Sequence, residues 1–285
     1  MNIFDSHLHL FSRKIIDNVS RKKEMVAGLN LQTHDAAGRS GISALTHSLQ
    51  TAGVSAGLLL PTAGPSGVDR VNKAFLEKAA STPFLYTAGT LHPDYPHNRA
   101  ELERLCRHGV RGIKLCSFSQ GFELDAPSTL ALFDLIRNHN LENSHHFFVV
   151  LDTFYHAHEY FGTDPAHTTT PSKFSRLAGR YPDINFIGAH MGGLTAPFES
   201  IYSHLSPCDN LYLDTSNAAH TLTSEEFIGL LKRFGPQQIV FGTDWPWFVH
   251  RKEIPVIQKL LGAAGFSPKE MSAVFYENMA SLLEI

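Results

Sequence analysis

Apolar residues along this chain fall into short, nearly continuous runs that are separated by polar stretches. Eight runs rich in β-branched and aliphatic residues predict strands: residues 2–8, 54–60, 84–90, 110–115, 147–151, 185–189, 211–214 and 239–242. Several of them, such as FFVVL at 147–151, are apolar at every position. This pattern is typical of parallel strands that are covered on both faces.

Between these runs, apolar residues recur at the spacing of an amphipathic helix. Residues 68–80 place Val68, Val71, Phe75 and Ala79 on one face. The same spacing of apolar residues occurs at 100–108, 129–138 and 174–181. The sequence therefore predicts helices in the intervals between the strands.

Helix-start signals and the order of the elements favour one fold class. Starts are indicated by Thr170 before Pro171, by Thr223 with Glu226 three residues later, and by SPKE at 267–270. About eight strand–helix alternations in 285 residues predict an α/β fold, a single (β/α)₈ TIM barrel with one domain over residues 1–285. An open, doubly wound parallel sheet is the alternative.

Two stretches are predicted to be the least structured, residues 12–39 after the first strand and residues 155–170 after the fifth. In a barrel both would lie at the carboxyl ends of strands, where active-site loops are built. We expect these stretches to carry a lid or to set substrate specificity.

Composition narrows the class of protein and its partners. The hydrophobic share of 43% indicates a globular chain. The net charge of −3 gives no excess of basic residues, so we expect no nucleic-acid or membrane partner. Three widely spaced cysteines indicate neither a disulfide framework nor a thiolate zinc site. The beginning, MNIFDSHLHLF, does not read as a signal peptide, and no apolar run approaches the ~18 residues of a membrane span. We expect a cytoplasmic protein with a small-molecule substrate; a homo-oligomer is an open alternative.

The chemistry-bearing residues lie where predicted strands end. His7 and His9 in DSHLHL share one side of the first strand because side chains alternate with a period of two, so both imidazoles can hold one divalent ion. His190 follows the sixth strand and Asp244 the eighth, and each stands where an apolar run stops. A lone histidine or aspartate is usually structural, but strand ends that meet on one barrel face favour a site.

The chain resembles the amidohydrolase superfamily, in the amidohydrolase-related branch that includes aminocarboxymuconate-semialdehyde decarboxylase, aromatic-acid decarboxylases and a pyrone-dicarboxylate lactonase. The resemblance covers essentially the whole chain and rests on the ordered motifs DSHLHLF, RGIKL, TTPSKFSRLAGRYPDINFIGAHMGG, NLYLDTS and IVFGTDWPW. It implies a (β/α)₈ barrel with one metal ion, most often zinc. The implied metal ligands are the strand-one histidine pair, a strand-five histidine and the strand-eight aspartate, with the strand-six histidine as a catalytic group.

Carried over residue by residue, the resemblance makes His7, His9 and Asp244 metal ligands, and it makes His190 and Asp244 catalytic residues. The strand-five position departs from the family, because FFVVLDT places Asp152 where the branch usually has histidine. Asp152 is then a candidate fourth ligand, and a carboxylate there shifts the metal preference from zinc toward manganese. The alternatives are that Asp152 caps its loop or pairs with Lys114, and that no metal is bound, as in the metal-independent lactonase.

Further residues are candidates for contact with the substrate. Lys114 ends the fourth strand as a charge in an apolar run, so it needs a carboxylate partner, either from the protein or from a substrate. Trp245 follows Asp244 and suits a flat substrate, although it could equally pack the top of the barrel. His92 is expected to make a structural hydrogen bond, and Cys116 is expected to be a small buried residue and not a nucleophile.

These observations predict a metal-dependent hydrolase that activates water to cleave an amide, ester or lactone of a small molecule. A non-oxidative decarboxylase of an aromatic or dienoic acid would use the same ligands and is the first alternative. The second is a barrel that binds a small molecule or a partner without turnover.

Overall fold

Strands and helices alternate from Phe4 to Leu283 in the computed structural model, which describes all residues from Met1 to Ile285. All eight predicted strands are present, and the third is divided at Ala88. The strands are β1 (Phe4–Leu8), β2 (Ala56–Leu59), β3 (Leu85–Thr87), β4 (Gly89–Thr90), β5 (Gly112–Leu115), β6 (Phe148–Leu151), β7 (Phe186–Gly188), β8 (Leu211–Asp214) and β9 (Ile239–Val240).

Helices occupy the intervals between the strands, as the periodicity predicts. The α-helices are α1 (Arg13–Ser20), α2 (Lys23–Gly28), α3 (Ile42–Ala52), α4 (Val68–Ala80), α5 (Asn98–Arg107), α6 (Ser117–Gln120), α7 (Pro127–Glu142), α8 (Ala157–Phe161), α9 (Pro171–Arg180), α10 (Phe198–His204), α11 (Ala218–Thr221), α12 (Ser224–Phe234), α13 (His250–Ala263), α14 (Pro268–Ser272) and α15 (Asn278–Leu283). A π-helical turn, Ala273–Glu277, joins the last two. None of the helices combines the length and the apolar character that crossing a bilayer requires.

The predicted helix starts are confirmed at the level of individual hydrogen bonds. The Thr170 side chain accepts a hydrogen bond from the Lys173 amide at the start of α9. Capping boxes begin α12 at Thr223 and α14 at Ser267, with a glutamate at the third helical position in each. Each cap satisfies amides that the first helical turn leaves without a partner.

The prediction that residues 12–39 and 155–170 are the least structured is wrong. The first stretch contains α1 and α2, and Ser12 caps α1 by accepting a hydrogen bond from Ile15 N. The second contains α8 and a short 3₁₀ helix, Pro165–His167. Helices of five to eight residues contain too few apolar positions for a period to emerge from the sequence, because their stability comes from tertiary packing.

The inward face of α4 is the predicted one, with a polar residue added to it. Val68 is buried, but the other buried residue of this helix is the polar Asn72. Its amide donates to Thr90 O at 2.9 Å and its carbonyl accepts from Thr90 N at 2.7 Å. A polar side chain is tolerated there because it satisfies both backbone groups of a buried strand residue.

The chain divides into two compact units. The first comprises Met1–Leu59 and Asp214–Ile285, and the second comprises Leu60–Leu213. The predicted single domain over residues 1–285 stays a prediction.

In the first unit β1 pairs in parallel with β2, with Phe4 opposite Ala56 and Leu8 opposite Leu59. Ser6 N donates to Phe241 O at 2.8 Å, which joins β1 to the segment after β9. That segment is held in turn by Phe241 N, which donates to Val274 O at 3.0 Å. The site residues of β1 and of the segment after β9 are therefore tied together through the backbone.

In the second unit β4 to β8 run in parallel in chain order. Gly112 lies opposite Phe148, Val149 opposite Phe186, and Gly188 opposite Leu213. Every residue of β5, β6 and β7 is buried, as expected for parallel strands that are covered on both faces.

Asn210 joins α9 to the start of β8. Its side-chain amide, which is buried, lies 3.0–3.1 Å from the carbonyl oxygens of Ala178, Tyr181 and Ile184. These carbonyls close the last turn of α9 and the loop that follows it.

Replacing Asn210 by alanine is expected to lower the free energy of unfolding by about 2–4 kcal/mol, since it leaves buried carbonyls without a donor. Asn143→Ala is the matched control, because Asn143 is exposed and its amide makes a similar bond to His139 O at 2.9 Å. A change within about 0.5 kcal/mol is expected for this surface substitution. Urea unfolding measures both, and equal effects would contradict the role of Asn210.

Candidate functional site

His7 and His9 point to the same side at the end of β1, as their spacing predicts. Their Nε2 atoms lie 3.0 Å apart, and their rings meet edge to face. His7 is buried, while the His9 side chain is 11% exposed. Two imidazole nitrogens therefore converge on one point at the end of the strand.

Asp244 brings a carboxylate to the same point. Its Oδ1 lies 3.6 Å from His9 Nε2 and 3.9 Å from His7 Nε2. The three ligand atoms all lie within 4.8 Å of one another. Three of the predicted metal ligands thus meet inside the first unit.

The backbone at Asp244 adopts an unusual conformation. Its φ is 64°, in the left-handed region that costs a residue with a side chain about 1–2 kcal/mol. Asp244 N donates to His7 O at 3.1 Å, and His9 N donates to Trp245 O at 2.9 Å. These two bonds hold the turn against β1 and compensate for the strained conformation.

Asp5 anchors the site from beneath, although sequence reasoning gave it no role. It is fully buried, and its Oδ1 accepts hydrogen bonds from His7 N at 2.9 Å and Thr243 N at 3.1 Å. Its Oδ2 accepts from Thr243 Oγ1 at 2.5 Å and lies 3.0 Å from His250 Nε2. One carboxylate therefore fixes the backbone at His7 and at Thr243, the residue before Asp244.

Asp214 orients the ring of His7. Its Oδ2 accepts from His7 Nδ1 at 2.7 Å, and the Ser216 hydroxyl lies 3.1 Å from the same nitrogen. Both residues are buried, and the Ser216 hydroxyl also donates to Asp214. A proton held on Nδ1 leaves the Nε2 lone pair free to bind a metal, the arrangement usual for metal-binding histidines. The carboxylate at the end of the motif NLYLDTS was the available signal for this role.

Arg39 ties the segment before α3 to the turn after Asp244. Its Nη1 donates to Pro246 O at 2.7 Å and to Trp247 O at 3.2 Å. Burial lowers the pKa of this guanidinium, an effect that the neighbouring Asp35 opposes. The stretch predicted to be loop is thereby attached to the site within the first unit.

The donor set of the first unit fits a metal ion. Two imidazole nitrogens and one carboxylate oxygen are ligands that zinc and manganese both accept. Three protein ligands are also the number that catalytic zinc sites use, since an open position must remain for water or substrate.

The second unit contains the other predicted site residues. Lys114 is the third residue of β5 and is fully buried, with its Nζ 3.7 Å from Asp152 Oδ2. His190 Nε2 lies 3.8 Å from the same oxygen, and Asp152 Oδ1 accepts from Phe154 N at 3.1 Å. The alternatives of a capped loop and of a Lys114 partner are therefore both present in the structure. The ligand role of Asp152 and the catalytic role of His190 stay predictions.

Neighbouring residues behave as structural groups. Burial raises the pKa of the Cys116 thiol well above its ordinary value, and the Asp152 carboxylate raises it further, so the thiolate is disfavoured. His92 Nε2 lies 3.0 Å from Gln120 O, and His92 Nδ1 accepts from Asp94 N at 3.1 Å. Trp245 is buried in the first unit with its ring stacked on His250, and its contact with a substrate stays a prediction.

Comparison with solved structures defines the fold class. A TIM-barrel protein from Bordetella bronchiseptica is 16% identical, with a TM-score of 0.75 over 100% of this chain and 99% of that one. A dihydroxybenzoic acid decarboxylase from Polaromonas, with bound manganese and the inhibitor 2-nitroresorcinol, is 16% identical, with a TM-score of 0.69 over 100% and 97%. A candidate 2-pyrone-4,6-dicarboxylic acid hydrolase from Pseudomonas putida is 20% identical, with a TM-score of 0.62 over 99% and 97%. The chain thus has the α/β fold of the (β/α)₈ TIM barrels.

Sequence comparison defines the family. No curated protein matches the chain significantly. The model of the amidohydrolase family matches residues 5–285, which include all the site residues described above. The chain therefore belongs to the amidohydrolase family.

Proposed function

We propose that this protein is a metal-dependent hydrolase that cleaves an amide, ester or lactone bond in a small molecule. The observation that carries the proposal is the convergence of His7, His9 and Asp244 within 4.8 Å. The orientation of His7 by Asp214 adds to it, because a ring held in one tautomer binds a metal with little reorganisation.

The bound ion is a divalent metal, with zinc first and manganese as the alternative. When bound, the metal would lower the pKa of a coordinated water toward neutrality and polarise a substrate oxygen. His7 and His9 would hold it through Nε2, and Asp244 through Oδ1. The solved decarboxylase from Polaromonas holds manganese, which makes both ions worth testing.

Asp244 has a second role in this proposal. Its carboxylate lies beside both imidazole nitrogens, and its side chain is only 7% exposed. A carboxylate in that position can accept the proton that a nucleophilic water loses. The family resemblance assigns the complementary acid–base role to His190.

A non-oxidative decarboxylase is the second candidate, and an aromatic surface beside the ligands favours it. The ring of Phe11 stacks on His9 with centroids 4.7 Å apart, and Trp247 lies 5.7 Å from Phe11. Such flat apolar faces suit a planar aromatic acid. Several solved structures with this fold are decarboxylases of hydroxylated benzoic acids.

A substrate panel separates the two reactions. We expect the manganese- or zinc-loaded protein to open 2-pyrone-4,6-dicarboxylate or another lactone, followed by absorbance, without release of carbon dioxide. Release of carbon dioxide from 2,6-dihydroxybenzoate or 5-carboxyvanillate would assign the decarboxylase instead.

Removing both imidazoles should abolish metal binding. We expect the His7→Ala, His9→Ala variant to fall from about one ion per chain to less than about a tenth, and to lose turnover, because one carboxylate cannot hold the ion. Elemental analysis of the purified protein measures the metal. A His34→Ala, His204→Ala variant is the control, since both histidines are exposed and it should keep its metal. Full metal content in the first variant would contradict the site.

Asp214 should influence metal affinity although it does not coordinate the metal. Asp214→Asn is expected to weaken metal affinity about 10- to 100-fold, the usual effect of losing a carboxylate that orients a metal-binding histidine. Isothermal titration calorimetry with zinc or manganese measures the affinity. Asp209→Asn is the matched control, because Asp209 is exposed and close by in the chain. An unchanged affinity for Asp214→Asn would show that His7 does not depend on this contact.

A further inference from the structure

A fully buried ammonium group lies in the second unit, on β5. Lys114 is 0% exposed, and its Nζ makes no hydrogen bond with another protein group. An ammonium taken out of water without a countercharge is strongly unfavourable. The fold therefore has to supply a carboxylate close to Lys114.

Asp152 supplies that carboxylate from the neighbouring strand. β5 and β6 run in register, with Lys114 opposite Val150, and Asp152 N donates to Leu115 O at 3.0 Å. This backbone bond holds Asp152 beside β5 and places its Oδ2 3.7 Å from Lys114 Nζ.

Both oxygens of Asp152 have partners inside the second unit. Oδ2 faces Lys114 and also His190 Nε2, which is 3.8 Å away, while Oδ1 accepts from Phe154 N at 3.1 Å. A carboxylate that turned to a metal would give up these contacts and leave Lys114 buried without its countercharge. The Lys114 ammonium and the His190 ring therefore compete with any metal for Asp152 Oδ2.

We propose that Asp152 is the counter-ion of Lys114 and not a metal ligand, so that the metal is held by His7, His9 and Asp244 alone. The inference rests on the proposed function for the metal centre. This role explains why an aspartate can stand where the family usually has a strand-five histidine. Asp152 neutralises a buried lysine there and does not bind the metal. It also leaves the metal at least one open coordination position for water and substrate.

Three variants test the pairing and the ligand set separately. Asp152→Asn removes the charge at constant shape, Lys114→Met removes the ammonium at similar volume, and the third variant combines both. Urea unfolding gives the equilibrium constant of unfolding for each. Calorimetry and electron paramagnetic resonance with Mn²⁺ report the affinity and the ligand field of the metal.

We expect each single substitution to raise the equilibrium constant of unfolding at least about 30-fold, and the double substitution to raise it no more than the larger single one. The dissociation constant for Mn²⁺ should stay within about threefold of wild type in Asp152→Asn, with an unchanged resonance spectrum. Asp244→Asn, which removes a proposed ligand, is the control and should weaken Mn²⁺ binding at least about 100-fold.

A loss of Mn²⁺ affinity of about tenfold or more in Asp152→Asn, with an altered spectrum, would overturn the inference. Single effects that simply multiply in the double variant would overturn it as well. If a single variant does not fold, the double variant serves for the metal measurement, because it also lacks the Asp152 carboxylate. Wild-type protein that binds neither Mn²⁺ nor Zn²⁺ would contradict the proposed function, while the unfolding measurements would still decide the pairing.

Discussion

The first unit depends on one buried carboxylate, that of Asp5. It accepts the backbone amide of His7 and both the amide and the hydroxyl of Thr243, so it connects the first strand to a segment more than two hundred residues later. Hydrogen bonds to a charged group contribute about 1.5–3 kcal/mol each, and a buried carboxylate needs all of them to offset its lost hydration. This contact therefore helps to position His7 and Asp244, the proposed ligands.

Further polar contacts extend outward from that anchor. Asp214 and Ser216 hold the ring of His7, and Arg39 holds the turn that follows Asp244. None of these groups belongs to the cluster of His7, His9 and Asp244, yet each restricts one of its side chains or the backbone next to it. Sites that bind a metal tightly are usually built in this way, because the surrounding contacts fix the ligand side chains before the ion binds. Less conformational entropy is then lost on binding.

Membership of the amidohydrolase family defines the fold of the chain. It does not by itself decide which reaction the protein catalyses. The solved structures that share this fold at 13–20% identity include several decarboxylases and a candidate lactone hydrolase. One set of metal ligands can serve a metal-dependent hydrolase or a decarboxylase, because a bound metal can polarise a substrate oxygen in either reaction. The surface that holds the rest of the substrate distinguishes them, and in the proposed site the aromatic stack of Phe11 on His9 lies beside the metal position.

The amino-acid sequence by itself determined the order of strands and helices, the capped helix starts, and the pairing of His7 with His9 on one side of a strand. These features depend on local periodicity and on hydrogen bonds between residues three positions apart, which any reader of the chain can count. Tertiary structure decided the short helices between residues 12 and 39, the anchoring role of Asp5 and the orientation of His7 by Asp214. Thr243, which Asp5 binds, and His7, which Asp214 binds, lie 238 and 207 residues away in the chain, so no local pattern reveals these contacts. Lys114 shows the same limit, since the sequence left Asp152 open as a metal ligand, a loop cap or the partner of Lys114, and the register of two strands brought the two side chains within 3.7 Å of each other.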